Sequence, residues 1–429
     1  MNNSESIVVA PSEQDQHRFK YLFIIGVLFF VFGFVTWLGS VLIPYLKITC
    51  ELNNVSSYLI AFSFYISYLV LALPSAALLK KTGFKHGMAL GLLLIAIGTT
   101  IFIPAAHSRM YLLFLIGQFI QGSGLAILQT AANPYVVLLG PRNSAAKRIS
   151  MMGVSNGVAG ILAPIILGSI ILNNTDQIKS DLLRMGAQEK VVALQTLASK
   201  IIAPYLAMTI VMLVLAVLIY FSGLPEINPE EEVEEDVSTD SIQKTSIFQF
   251  PHLLLGAFTL FLYVGVEVIA GDTIILYGAS QGIPLSTAKF FTSFTLGGML
   301  LGYLIGIMFI PKLISQEQAL KFSALAGILF CLCALFTSGL VSVVFIALLG
   351  LANALMYPSI WPLALSGLGS FTKTGSSILI MAIGGGAILP LMYGRIADHF
   401  SPHLAYWMVV PCYVVIWYYA TKGHRVKSI

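Results

Sequence analysis

GVAGILAPIILG at 157–168 and GGGAILPLMYG at 384–394 carry one spacing twice: Gly160, Pro164 and Gly168 in the first, Gly386, Pro390 and Gly394 in the second. Each follows a long apolar segment that holds a proline with an amide five residues before it, Gln129 to Pro134 and Asn353 to Pro358. Matching punctuation in matching order reads as a duplicated chain. The glycine spacings suit close helix packing and are not expected to bind anything.

Composition sets the solvent in which the two copies fold. The chain is 57% apolar and 10% charged, too little polar surface for a soluble globule. A membrane crossing takes ~20 apolar residues, and the sequence supplies about twelve such runs. They are expected near Phe19–Tyr45, Val55–Leu79, Met88–Pro104, Met110–Leu139, Ser150–Leu172 and Ile202–Phe221, and again near Phe248–Tyr277, Ala288–Ile310, Leu320–Thr337, Val341–Leu368, Ser376–Ile396 and Leu404–Ala420. The expected fold is all-α and integral to the membrane, twelve transmembrane helices in two pseudo-symmetric six-helix bundles at 19–222 and 247–420. Tails occupy 1–18 and 421–429, and an acidic linker 223–246. Duplicated halves with interrupted spans in matching positions imply a transporter whose site lies between them.

The first eighteen residues hold no apolar h-region with a small-residue cleavage site, so no signal peptide is expected to be removed. An even number of spans puts both termini on one side. Arg18, Lys20, Lys80, Lys81, Lys85, Arg142, Lys147, Arg148, Lys312, Lys321, Lys373, Lys422, Arg425 and Lys427 all fall there, whereas the short opposite loops carry little beyond Lys47 and Arg109. Basic residues stay on the cytoplasmic side, so a multi-pass protein of a bacterial-type plasma (inner) membrane is expected, both termini cytoplasmic. The stretch 173–200, long and mixed in charge, counts weakly. The net charge of +4 thus describes topology and gives no reason to expect nucleic acid. Glu230, Glu231, Glu232, Glu234, Glu235 and Asp236 make the linker a solvated tether.

Cys331 and Cys333 point to different faces of a helix, and Cys50 and Cys412 are isolated, so the cysteines are packing residues. The seven histidines fall in loops or at span ends, which leaves no imidazole in mid-membrane for a metal. No GxxxxGK[ST] loop or nucleotide domain is present, so ATP is not the expected driver, no cofactor is expected, and no nucleophile–base set suggests an enzyme.

Polar groups deep in hydrocarbon are costly and so mark function. The seventh span, FLYVGVEVIAGDTIILYG, holds Glu267 and Asp272. Five residues separate them by about 140 degrees on a regular helix. Either Gly271 breaks the helix and lets carboxylates and freed carbonyls form a cation site, or Asp272 sits at the far interface and Glu267 alone is buried. A carboxyl facing a cavity suits proton loading and release. Oxygen ligands at Glu267 and Asp272 equally suit Na+, so the ion stays open. In the fourth span Gln129 and Asn133 share a face, and Asn353 in the tenth stands at the same offset from its proline. These amides, with Asn156, offer the donors and acceptors that sugar hydroxyls require. The two-fold relation predicts that Gln129 and Asn353 face each other across the cavity, with Trp37 or Trp361 stacking on a sugar ring.

QTAANPYVVLLGP, AAKRISMMGVSNGVAG, IPKLISQEQALKFSALAGI and GSSILIMAIGGGAILPLMYGRIADH resemble the fucose permease and glucose/galactose permease group of the major facilitator superfamily, over nearly the whole chain. The resemblance implies alternating access, with uptake of a hexose coupled to an inward H+ or Na+ gradient. Gln129 is similar to the glucose/galactose type, where fucose permeases have a glutamate; Asn133 and Asn156 match positions around the family's sugar cavity, and Glu267 a seventh-span acid. Gly39 and Ser40 stand where the group usually reads Asn-Asp, and Gly153 where glutamine is frequent, which speaks against fucose and its protonation mechanism. Coupling then falls to Glu267 and Asp272. The expected activity is secondary active transport of glucose, galactose or an epimer such as mannose by a functional monomer in the lipid bilayer. A fucose or N-acetylglucosamine symporter and a non-transporting sugar sensor are the alternatives.

Overall fold

A computed structural model describes residues 13–138, 145–173, 175–225, 246–310, 313–368 and 371–426. Every regular element among them is helical, as an apolar solvent requires, because backbone N–H and C=O groups left unpaired there cost several kcal/mol each, on the order of a lost hydrogen bond or more. Span one is Glu13–Trp37 continued, after a break at Leu38, by Gly39–Thr49. Spans two and three run together as Asn54–Ser108, turned at Gly83, whose φ of 77° is open to glycine at no steric cost. Eleven described helices are therefore long and apolar enough to cross a membrane, and one of them holds two passes. Spans four to six are Tyr111–Leu138, Ala145–Ile171 and Ile202–Tyr220. In the second half, span seven is Pro251–Asp272 extended by Ile274–Ser280, eight Phe291–Phe309, and nine Gln316–Leu335. Span ten is Gly339–Asn353 and Met356–Leu365, eleven Thr372–Ala382 and Gly385–His399, and twelve Val409–Thr421.

The connections carry helix of their own. Helix begins at Glu13, inside the tail 1–18. The stretch 173–200 forms Thr175–Leu182 and Ala187–Ser199. The second of these is tied down by Gln195, which donates to the carbonyls of Ala106 and His107 at 3.1 and 2.9 Å, and by the Tyr45 hydroxyl on the carbonyls of Leu197 and Ala198 at 2.8 Å each. The acidic run of the linker lies outside the described residues, as do 1–12 and 427–429.

Spans one to six pack mainly on one another, and so do seven to twelve. The halves meet along two seams, span eleven on span two and span five on span eight. Both seams are lined by the repeated glycines. A Cβ on Gly386 would lie 2.9 Å from the Tyr65 ring, and one on Gly394 2.6 Å from Tyr58; across the other seam, Gly160 would press on Leu296 at 3.2 Å and Gly168 on Lys289 at 3.5 Å. The Gly-Pro-Gly segments are thus the two rails of the interface between the halves.

Inside the first half, spans three and four approach equally closely. A Cβ on Gly91 would stand 2.8 Å from the carbonyl oxygen of Gly124, and one on Gly98 2.6 Å from that of Gly117. Small residues at a seven-residue repeat let two backbones touch where hydrophobic driving force is absent. Gly98→Leu should force the spans apart at a cost of about 1–3 kcal/mol, read as a lower thermal midpoint of the purified protein in detergent; an unchanged midpoint would mean the contact is slack.

Candidate binding cavity

A cavity of about 160 Å³ lies between the halves at mid-span. The first half contributes Thr36, Trp37, Tyr65, Tyr68, Gln129 and Asn156; the second contributes Tyr263, Val264, Glu267, Met299, Tyr303, Tyr357 and Ile383. Glu267 is the one charged side chain in this lining. It stands one helical turn after Tyr263, whose buried hydroxyl lies beside its carboxyl. Gln129 donates through Nε2 to the Tyr68 hydroxyl at 3.1 Å, which leaves its Oε1 free of that bond. Asn156 donates weakly to the Phe29 carbonyl at 3.4 Å. Phenols, an amide and a carboxyl on an aromatic wall can give and take hydrogen bonds while an apolar ring face is covered.

Trp37 owes its place to two glycines. Its indole, buried at the break in span one, sits where a Cβ on Gly271 of span seven would fall, and 2.7 Å from where a Cβ on Gly160 would be. Gly271 therefore makes room for a ring; its helix runs to Asp272 and pauses at Thr273 before Ile274–Ser280. Of the two carboxyls Glu267 enters the cavity lining, while Asp272 is 1% exposed and outside it. Its Oδ1 has no hydrogen bond, and Oδ2 would lie 3.3 Å from a Cβ on Gly39. Glycine at 39, where the resembling group carries asparagine, is what leaves space for this carboxyl.

The remaining expected residues lie outside the cavity lining. Asn133 is half-buried, one turn from Gln129 and outside the lining. Asn353 does not face Gln129: its Oδ1 accepts from the Tyr413 hydroxyl at 2.8 Å, and its Nδ2 is buried without a partner. The reason is local. Pro358 offers no N–H to the carbonyl of Ala354 and crowds it, span ten breaks at Ala354 and Leu355, and the amide ends on the span-twelve side. Trp361 stacks on Tyr357 with centroids 5.6 Å apart and planes at 27°, and so supports a lining ring from behind. The lining tyrosines were not anticipated. A signal existed, since Tyr65 and Tyr68 fall on one helical face in mid-span, away from the interfacial belts where tyrosine is ordinary.

The Major Facilitator Superfamily description matches residues 25–390. The chain is 35% identical over 401 residues to the glucose/galactose transporter of Brucella abortus biovar 1 (strain 9-941), covering 93% of this chain and 92% of that protein. It is 30% identical over 375 residues to the L-fucose-proton symporter of Escherichia coli (strain K12), covering 86% and 85%. The crystal structure of FucP, a major facilitator transporter in the outward conformation, superposes with a TM-score of 0.72 at 27% identity, covering 95% of this chain and 99% of that one. A multi-pass membrane chain of two helical halves with a cavity at their seam, this protein belongs to the major facilitator superfamily.

Proposed function

We propose that the chain is a proton-coupled hexose symporter of the glucose/galactose type, working by alternating access. The observation that carries this reading is the cavity itself: one carboxyl, two mid-span amides and a wall of tyrosines, contributed by both halves. Gln129, Asn156, Trp37 and the Tyr263 hydroxyl would hold the sugar, and Glu267 would carry the proton. Asn133, Asn353 and Trp361 would support these from behind, and Asp272 would answer to the coupling group across the Trp37 indole. The single carboxyl in the cavity lining supports a proton over Na+, which needs several oxygens around one point, and the relative named a proton symporter supports the same ion. The basic residues at the terminal face support cytoplasmic termini in a bacterial plasma membrane, and a site complete within one chain supports a functional monomer. Gln129 and the Gly39–Ser40 pair favour glucose or galactose over fucose.

Three measurements in proteoliposomes test this. Labelled glucose or galactose should accumulate under an imposed proton gradient and not under a sodium gradient; equilibration without accumulation would make the chain a facilitator, and competition by fucose alone would transfer the reading to that sugar. Glu267→Gln should abolish accumulation while sparing counterflow exchange, so normal concentrative uptake by this variant would remove the proton role. Gly271→Ala places a methyl on the Trp37 ring, and Gln129→Ala removes a hydrogen-bonding amide; each should raise the KM for sugar about tenfold, the effect of losing roughly 1.4 kcal/mol of binding, and an unchanged KM would take that residue out of the site.

A further inference from the structure

At the face opposite the termini, two carboxylates reach across the seams and do the same thing. Asp398, at the end of span eleven, accepts from the backbone N–H groups of Asn54 and Val55, the first residues of span two, at 3.1 and 2.9 Å. Asp176, just after span five, accepts from the backbone N–H groups of Leu285 and Ser286, which lead into span eight, at 3.0 Å each. Spans five and eleven occupy equivalent places in the two halves, as do spans two and eight, so the contacts are related by the duplication. The acceptors they supply are not redundant. The first N–H groups of a helix have no partner within it; the Asn53 side chain takes Ser56 and the Pro284 carbonyl takes Thr287, and the carboxylates take the two before each. Partial burial pushes the Asp176 carboxyl up, but the amides of Ser286 and Leu285 outweigh it and hold it below the ordinary carboxylate range.

Each latch stands just past a glycine rail, Asp176 after Gly168 and Asp398 after Gly394. The rails let the seams close without a side chain in the way, and the carboxylates fasten their far ends. We infer that Asp176 and Asp398 are paired gate residues that hold the far face shut and must let go of the span-two and span-eight helix ends for the cavity to open there. The inference rests on the transport reading for its role in a cycle, and the contacts stand independently of which sugar moves. Because each carboxylate serves a helix end of the other half, loss of one leaves the other fastened, and both must be removed for full release.

The test is hydrogen–deuterium exchange on the purified chain in lipid nanodiscs without sugar, comparing Asp398→Asn, Asp176→Asn, the double variant, and Asp→Glu at both places. An asparagine offers one acceptor oxygen where the carboxylate offers two. In the double variant, amides at 54–62 and 285–293 should exchange roughly tenfold faster, in keeping with the loss of charge-assisted hydrogen bonds, while the terminal-face ends of the same spans, 72–79 and 303–309, should exchange more slowly as that side closes. The single variants should move both regions the same way by less, which keeps the test open if the double variant does not fold, and the glutamates should restore part of the protection. Faster exchange at both ends would mean that the carboxylates merely stabilise the fold, and no change at either would remove them from the gate. This pattern with no flux of any sugar would leave the gate standing and sink the transport reading; sugar flux with unchanged exchange would do the reverse.

Discussion

Two helical halves can rock against one another only if their backbones come close enough to slide, and the glycines of spans five and eleven supply that approach. At Gly160, Gly386 and Gly394 a methyl group would collide with a side chain of the opposite half, or with the Trp37 indole wedged beside it. Cavity and far-face contacts both follow from this seam. The rails fix how near span two lies to span eleven and span five to span eight, so they fix the width of the space left at mid-span and bring Asp176 and Asp398 within reach of helix ends they could not otherwise touch.

The apolar solvent explains the rest of the architecture and also its exceptions. Regular helix satisfies backbone groups without help from water, so it is the default. Departures occur at Leu38, at Gly83, at Thr273, at Ala354–Leu355 and near Gly384, where helices pause or turn. Four of these five lie in spans that form the seams or that line or back the cavity. At Leu38 the pause sets Trp37 between the halves; before Pro358 it sends Asn353 toward Tyr413. Interruption thus does not itself create a binding group. It decides which way the neighbouring side chains face.

That distinction also marks how far the sequence could be read. Apolar runs and the repeated Gly-Pro-Gly spacing carry the fold because length and composition answer directly to bilayer thickness. Gln129, Asn156, Trp37 and Glu267 could be picked out because a polar or large aromatic group in mid-span is conspicuous, and all four line the cavity. Asn133, Asn353, Trp361 and Asp272 were equally conspicuous and lie outside its lining. Helical periodicity gives a shared face but not the depth of a residue along the pore, nor the rotation that a proline break imposes on what precedes it. The geometry of Gly271 was legible only with its partner in place: a glycine beside an acid reads as a helix breaker, and the indole that needs the space belongs to a span of the other half.

Trp37 carries a consequence of its own position. The chain has four tryptophans, and two of the others, Trp407 and Trp417, are at least a third exposed on the outside of the bundle. Trp37 alone is pressed between a glycine of each half, Gly160 and Gly271, and is 6% exposed. Any parting of the halves changes what surrounds that ring. The molecule therefore contains a natural fluorophore at its hinge line, whose emission colour and quenching report the opening of the cavity without an added dye.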